Sequence, residues 1–393
     1  MTAPAPDVAI IGGGIVGTAI AAELAGRGVS TTLYERDELA AGASGRNSGV
    51  VWYPSDPVLG AFYRESLERY RSLPDELAAA LSPGAPDRGF RLGAQPSGIL
   101  ELGWDEDVLR AAAASAAATN PELGPSYVDQ AALRRLEPAL ADGLAAVRFD
   151  IGFPVAPASA TRALGSLARA RGARIRLAAD ARVAREGASA TGVVVDGRLE
   201  PAGAVVVAAG PWSPALIDPT GAWRPIRPLW GVIVELELGD RAPVHVLEET
   251  GVAAAIAPAT PGGEDQGAWD FSLVTAGGRS SLGSTFLPAE PDPRAWEARL
   301  RERGARFVPA IAATPTRGLR ACARPLAADG RPLVGAVPGI DRLFIAAGHG
   351  PWGISTGPAS ARHVADLVLG APDPRDPAVR TATDSARFGA PPA

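Results

Sequence analysis

Few residues in this chain are able to do chemistry, and one type is missing altogether. All 38 basic residues among the 393 are arginine, and lysine is absent. Schiff-base catalysis, pyridoxal-phosphate attachment and a Walker-type phosphate loop each require a lysine, so all three are excluded. A lone cysteine, Cys322, and three histidines, His245, His349 and His363, form no metal-ligand cluster, and no acid–base dyad is evident. His245 and His363 read as structural. The strongest pattern is instead a ligand cradle, Gly12-Gly13-Gly14-Ile15-Val16-Gly17. Gly12 permits a sharp bend, Gly14 lets a pyrophosphate approach the backbone, and Gly17 lets the following helix pack close to the strand. The helix start at Ile15 and Val16 supplies N–H groups and a positive dipole. With 46 glycines in the chain, this spacing arises by chance on the order of 0.6 times, so context must carry it. Four apolar residues precede Gly12, an Ala/Leu-rich helix follows, and the strand Ser30–Glu35 ends in an acid where a ribose-binding carboxylate is expected. The reading is a dinucleotide site.

The elements that must position such a site exceed one domain. At this length two domains are the starting expectation. Apolar content of 47% and charged content of 21% are those of an ordinary globular protein, and a net charge of −5 without a basic run argues against nucleic acid as the main partner. No basic and apolar leader precedes the first strand, and apolar runs such as Ala204–Ala209 have strand length, so the expected location is cytoplasmic with no membrane span. Ala40–Val51, small and polar, reads as a loop too flexible for a regular element, with the Ser44 and Ser48 hydroxyls available to a ligand. Pro57–Leu81 reads as one long helix. Phe90–Gly93 and Ser97–Gly103 look like a hairpin, followed by helices over Asp105–Ala118 and Asp129–Leu136. The βαβ order has broken there, which implies an inserted domain. A helix over Ala158–Arg171 carries arginines at helical spacing, a pattern of a solvated face. Strands follow at Arg174–Leu177, Gly192–Asp196 and Ala204–Ala209. The stretches Gly231–Leu238, Phe271–Val274 and Gly283–Phe286 alternate like a sheet with one polar or ligand-facing side, closed by a helix over Pro293–Arg306. Leu343–Gly353 and the helix through Ser360–Leu369 resume βα order, and the last twenty-odd residues read as a loose tail.

Five blocks, in order, resemble the flavoprotein amine and amino-acid oxidoreductases of the D-amino-acid oxidase, glycine oxidase and sarcosine oxidase superfamily. They are Gly12–Gly17 with Glu35, Gly42–Gly49, Ala208–Ser213, Arg324–Gly335 and Ala347–Ser355. The match runs from Asp7 to Gly370 and thins over 100–145 and 239–315. The resemblance implies an α/β chain, α+β overall, with a Rossmann-type FAD-binding domain and an inserted substrate domain on a mixed, largely antiparallel sheet. The expected boundaries are 1–85, 146–222 and 316–372 for the FAD domain, 86–145 and 223–315 for the substrate domain, and 373–393 for the tail.

Cofactor contacts are implied at Gly12, Gly14, Ile15, Val16, Gly17, Glu35, Arg36, Ser44, Arg46, Asn47, Ser48, Val183, Ala209, Gly210 and Trp212. The C-terminal block adds Gly348, Gly350, Gly353, Ile354 and Ser355. The implied reaction is oxidation of a C–N bond, with hydride passing to flavin N5 and the imine hydrolysing to a 2-oxo acid or aldehyde plus amine. Arg324 aligns with the carboxylate-binding arginine of the family, in a two-pronged charge-assisted contact. Arg320 is its fallback. His349, Trp352, Trp230 and Tyr53 are the remaining candidates around the substrate. Cys322 lies near the place where some relatives attach flavin, but Arg320–Arg324 does not match their pattern, so FAD is expected to be non-covalent. Some relatives activate oxygen with a lysine, which this chain lacks. A dehydrogenase passing electrons to another acceptor and an oxidase both remain open. A flavoprotein acting on 2-hydroxy acids and a non-catalytic flavin-binding subunit are the competing readings.

Overall fold

The computed structural model describes residues 7–54, 56–251 and 268–392; part of the expected substrate domain, 252–267, lies outside them. Asp7–Leu24 folds as its pattern dictates. The strand Val8–Ile11 is buried on both faces, and the helix Ile15–Gly26 that follows is buried almost all round. Val8–Ile11 is central in a six-stranded sheet ordered Leu333–Ala336, Leu343–Ala347, Ala204–Val207, Val8–Ile11, Thr31–Tyr34, Arg174–Arg176. The pairings are parallel except that Leu333–Ala336 runs antiparallel to its neighbour. Residue alternation divides two cores. Val8 and Ile10 face the packed helices Ile15–Gly26, Pro57–Ala80, Ser159–Ala170 and Gly353–Val368, while Ala9 and Ile11 face the antiparallel sheet of Ala181–Glu186, Ser189–Val195 and Arg198–Pro201. Among the described residues no helix is long and apolar enough to cross a membrane.

The second layer is an eight-stranded sheet. Its order is Thr316–Ala327, Ile226–Leu236, Arg279–Phe286, Ala268–Ala276, Val246–Glu249, Ile99–Gly103, Ala145–Phe149, Ser126–Val128, antiparallel except where Val246–Glu249 meets Ile99–Gly103. The helix Pro293–Phe307 covers the face formed by Val232, Val234, Leu273 and Leu282. Three expectations change here. Ile99–Gly103 forms no hairpin with Phe90–Gly93; it pairs with two strands distant in sequence, which bury its apolar side chains better than a local partner. Ala145–Phe149, which straddles the expected boundary at 145/146, and Thr316–Ala327, expected with the cofactor domain, are strands of this larger sheet. The twelve residues of Thr316–Ala327 carry the chain from that sheet back to the first domain.

The tail is docked rather than loose. Pro377–Thr383 is helical, the Trp223 indole donates to Gly389 O at 3.2 Å, and Arg387 pairs with Asp329 at 2.7 Å. Arg375, its side chain 9% exposed, binds Glu65 at 2.8 Å, Asp373 at 3.0 Å and Asp366 at 3.2 Å. When this buried cation is removed, Asp366 keeps Arg27 at 2.6 Å and Glu65 keeps Arg362 at 3.6 Å, but all three carboxylates lose their shared partner. Arg375→Ala is therefore expected to cost about 3 kcal/mol, read as a lower urea midpoint; an unchanged midpoint would show the tail to be dispensable.

Candidate active site

A cavity of about 540 Å³ opens where the ends of the strands Val8–Ile11, Ala204–Val207 and Leu343–Ala347 meet the far end of Thr316–Ala327. Switch points of this kind at the carboxyl ends of parallel strands are where such sheets bind ligands. At its floor, Gly12 adopts φ +116°, and a Cβ there would stand 2.4 Å from Ala208 O. A Cβ on Gly17 would stand 1.9 Å from Gly12 O, so only glycine lets this helix rest on this turn. The loop Ala40–Val51 braces the cradle. Ser44 Oγ accepts from Ile15 N at 2.9 Å, and Ala40 N donates to Gly13 O at 3.0 Å. Contrary to expectation, this loop contains a helical turn, Ala43–Arg46. Asn47 closes it, with Nδ2 donating to Ala43 O and Ser44 O and Oδ1 accepting from Gly49 N. Glu35 spans the turn, its carboxylate accepting from Gly13 N at 2.6 Å and Asp37 N at 2.9 Å. At the same end Arg36 lies 4.4 Å over the Trp212 ring.

The cavity brings together Gly12, Gly14, Ile15, Val16, Glu35, Arg36, Ser44, Arg46, Asn47, Ala209, Gly210, Trp212, Gly350, Gly353 and Ile354, with Trp230, Arg324 and His349. Other expected residues stand outside its lining. Gly17 and Gly348 pack beneath it, and Ser48 opens onto a neighbouring cavity. Ser355 Oγ accepts from Trp52 N, and Val183 lies within the antiparallel sheet opposite Val193. Two aromatic candidates are also turned elsewhere. Trp352 leans on Trp52 with ring centroids 4.7 Å apart. Tyr53, 8% exposed, meets Tyr63 edge-on and accepts from Arg64 at 3.3 Å. Ala179–Ala181 and Glu290 line the cavity and carried no local signal. The first is placed by Ala179 N donating to Glu35 O, the second by Leu287 bridging to Trp230.

The side chains at the sheet end differ sharply in electrostatic state. Arg324 Nη1 donates to Thr285 O at 2.8 Å, and its guanidinium lies over the Phe286 ring and against Gly231, where a Cβ would come within 2.4 Å. Burial lowers its pKa, and no carboxylate pairs with it among the described residues. Arg320, by contrast, is fully engaged with Glu235, Ser281 Oγ and Asn47 O, at 3.0, 2.7 and 3.1 Å, which leaves no fork for a ligand. Cys322 lines the cavity, but burial pushes its thiol up, making it a weak nucleophile.

His349 is 1% exposed, with Nε2 2.9 Å from Ser360 Oγ, and burial pushes its pKa down to about 4. Its ring is neutral near pH 7 and held under the turn by Ser360, at the edge of the cavity. The unfolded imidazole takes up a proton below about 6.5 and the folded one only near 4, so the native state loses stability as pH falls through that window. The His349 share of the loss between pH 7 and 5 is expected to be about 2 kcal/mol and to disappear in His349→Gln, while the share of His363, which burial likewise pushes down to about 4, remains; urea unfolding at both pH values measures it.

The family described as FAD dependent oxidoreductase (DAO) matches residues 7–367. This chain belongs to that family. FAD is its cofactor, and the glycine cradle, Glu35 and the helix start at Ile15 fit a pyrophosphate and ribose by their donors and their room. The chain is 26% identical to glycine oxidase of Bacillus licheniformis over 377 residues, 93% of this chain and 94% of the relative. It is 31% identical to D-amino acid dehydrogenase of Xylella fastidiosa strain M23 over 251 residues, 60% of this chain and 52% of that one. Among solved structures, glycine oxidase of Bacillus cereus ATCC 14579 superposes with a TM-score of 0.79 at 23% identity, covering 97% of this chain and 98% of its own.

Proposed function

We propose that this flavoprotein oxidises the C–N bond of a small amino acid with a free carboxylate: a D-amino acid, glycine, or a cyclic or N-methylated amino acid. The observation that carries the reading is Arg324, a guanidinium in the cavity wall held by one backbone carbonyl and matched by no acid among the described residues. Such a cation is costly to keep unpaired and is suited to a ligand carboxylate. FAD, when bound, supplies the acceptor for the hydride leaving the carbon that bears the amine. The protein's part is to fix the substrate and exclude water. Arg324 sets the carboxylate, Trp230 and the sheet wall the space, and no side chain is asked to be a strong base, because an amine that arrives deprotonated needs none. The imine product then hydrolyses in water. The names of the relatives, glycine oxidase and D-amino acid dehydrogenase, support an amine over an alcohol.

The deciding experiment is anaerobic flavin bleaching by panels of D- and L-amino acids, N-methyl amino acids and 2-hydroxy acids. Bleaching by the amines is expected. Bleaching by hydroxy acids alone transfers the same arginine to alcohol chemistry, and bleaching by neither leaves a flavin-binding subunit without this catalysis. With no lysine to activate oxygen, we propose that the reduced protein is reoxidised faster by an artificial quinone acceptor than by oxygen.

A further inference from the structure

The order of the six-stranded sheet places two strand ends on either side of the glycine turn. Ala204–Val207 and Thr31–Tyr34 flank Val8–Ile11, so the chain leaves them about 10 Å apart, two strand spacings, with Gly12–Gly14 between. Trp212 belongs to the first of these ends, set by the turn Gly210–Trp212, in which Trp212 N donates to Ala209 O at 3.2 Å. Arg36 belongs to the second, two residues beyond Tyr34. Their side chains meet across the turn. The Arg36 guanidinium lies 4.4 Å from the Trp212 ring centroid, and a Cβ on Gly42, in the loop beyond Arg36, would stand 3.8 Å from Trp212 Cζ3. Asp37 holds the same guanidinium at 3.3 Å.

This bridge is a wall of the cofactor cavity, not part of a core. Trp212 is 40% exposed and Arg36 is exposed as well, yet both line the cavity whose floor is Gly12–Gly14. They therefore stand between the cavity and solvent. The cavity runs from Glu35, beyond Thr31–Tyr34, to Gly353, beyond Leu343–Ala347, and the bridge crosses it over the strand between. An aromatic ring such as adenine does not fit inside the pair: it needs about 3.5 Å to each face, about 7 Å in all, against the 4.4 Å present. A dinucleotide laid along the cavity passes beneath.

We propose that Arg36 and Trp212 form a strap over the cofactor, closed in the loaded protein and opened for FAD to enter or leave. The strap does not depend on which substrate the flavin oxidises. Its closure is weak, since a cation–π contact at an exposed site favours the closed form by roughly two- to fivefold. A side chain that only touches the cofactor slows its departure alone. A strap slows passage in both directions, because each rate scales with the fraction of molecules in which it is open. Its removal therefore speeds binding as well as release and leaves the affinity nearly unchanged.

The test dilutes the FAD-loaded protein and follows free-flavin fluorescence to its new equilibrium; the relaxation rate and the end point together give both rate constants. Trp212→Leu keeps apolar bulk and loses the ring face. It is expected to raise the association and dissociation constants each by about two- to fivefold, with Trp212→Phe between it and the parent. Association that is unchanged or slower in Trp212→Leu overturns the strap, whatever dissociation does. Arg36→Gln, an exposed substitution, opens the strap from the other side and carries the same expectation at about 0.5 M sodium chloride, where the lost charge no longer alters capture of the anionic cofactor. It decides the question alone if Trp212→Leu fails to load FAD, association at the parental rate or below again overturning the strap. Because the two side chains act through one contact, the double variant is expected to be no faster than either single one. A double variant as fast as the product of the two single effects overturns the proposal, since each residue would then hinder FAD by itself.

Discussion

Arg324→Leu is expected to lower kcat/KM for carboxylated substrates by about 10²–10³-fold while FAD stays bound. The size follows from truncating one partner of a desolvated, charge-assisted pair, which typically costs about 3–4 kcal/mol. Arg324 fills the space above Gly231 and lies over the Phe286 ring, so its fork is already oriented before a substrate arrives. Arg324→Lys is not a conservative rescue, since an ammonium offers point charge where a planar fork is built in. Stability should move the other way. A guanidinium whose burial lowers its pKa, held by one carbonyl, contributes little to folding, so Arg324→Leu is expected to melt at the same temperature or higher than the parent. That combination, activity lost and stability kept, marks a residue retained for its ligand. The steady-state constants, flavin-to-protein absorbance ratio and melting curve of one preparation decide it; unchanged kinetics on carboxylated substrates would refute the assignment.

What the sequence disclosed divides along the range of the interactions involved. Gly17 was readable because its role is set within a few residues, by Gly12 O at the bend before the helix start, whereas Gly12 also makes room for Ala208 O from a distant strand, which the local pattern does not reveal. The helix Pro57–Ala80 was readable by its periodicity, and its Asp56 cap accepts from Val58 N and Leu59 N. Ile99–Gly103 was assigned a hairpin partner because Phe90–Gly93 is the nearest extended stretch, whereas its true partners at 145–149 and 246–249 are fixed by burial in a sheet that no local pattern reveals. The tail looked loose by composition, and its order depends on Arg375 finding Glu65, about three hundred residues away. At the site, the block around His349 was found by resemblance, but which of its atoms face the cavity was not, because Ser360 on the next helix holds the ring under the turn.

Gly17→Val and Gly14→Ala are expected to fail in different ways, and the difference separates folding from cofactor binding. A Cβ at Gly17 meets Gly12 O at 1.9 Å, backbone against backbone, which no rotamer relieves. The helix Ile15–Gly26 must lift off the strand Val8–Ile11, breaking the contact that gives the cradle its shape; a loss of about 3 kcal/mol or more, with colourless protein, is expected. At Gly14 an added Cβ meets only Ser44 Oγ, at 3.1 Å, a side chain able to yield by a few tenths of an ångström. Gly14→Ala should therefore fold with nearly parental stability and bind FAD more weakly, since the methyl group occupies the space in which a pyrophosphate approaches the chain. Melting temperature without added FAD and flavin affinity by fluorescence titration distinguish the two. If Gly14→Ala instead unfolds while Gly17→Val stays yellow, the division of labour within the turn is reversed, and the helix start at Ile15 is not the cofactor's anion site.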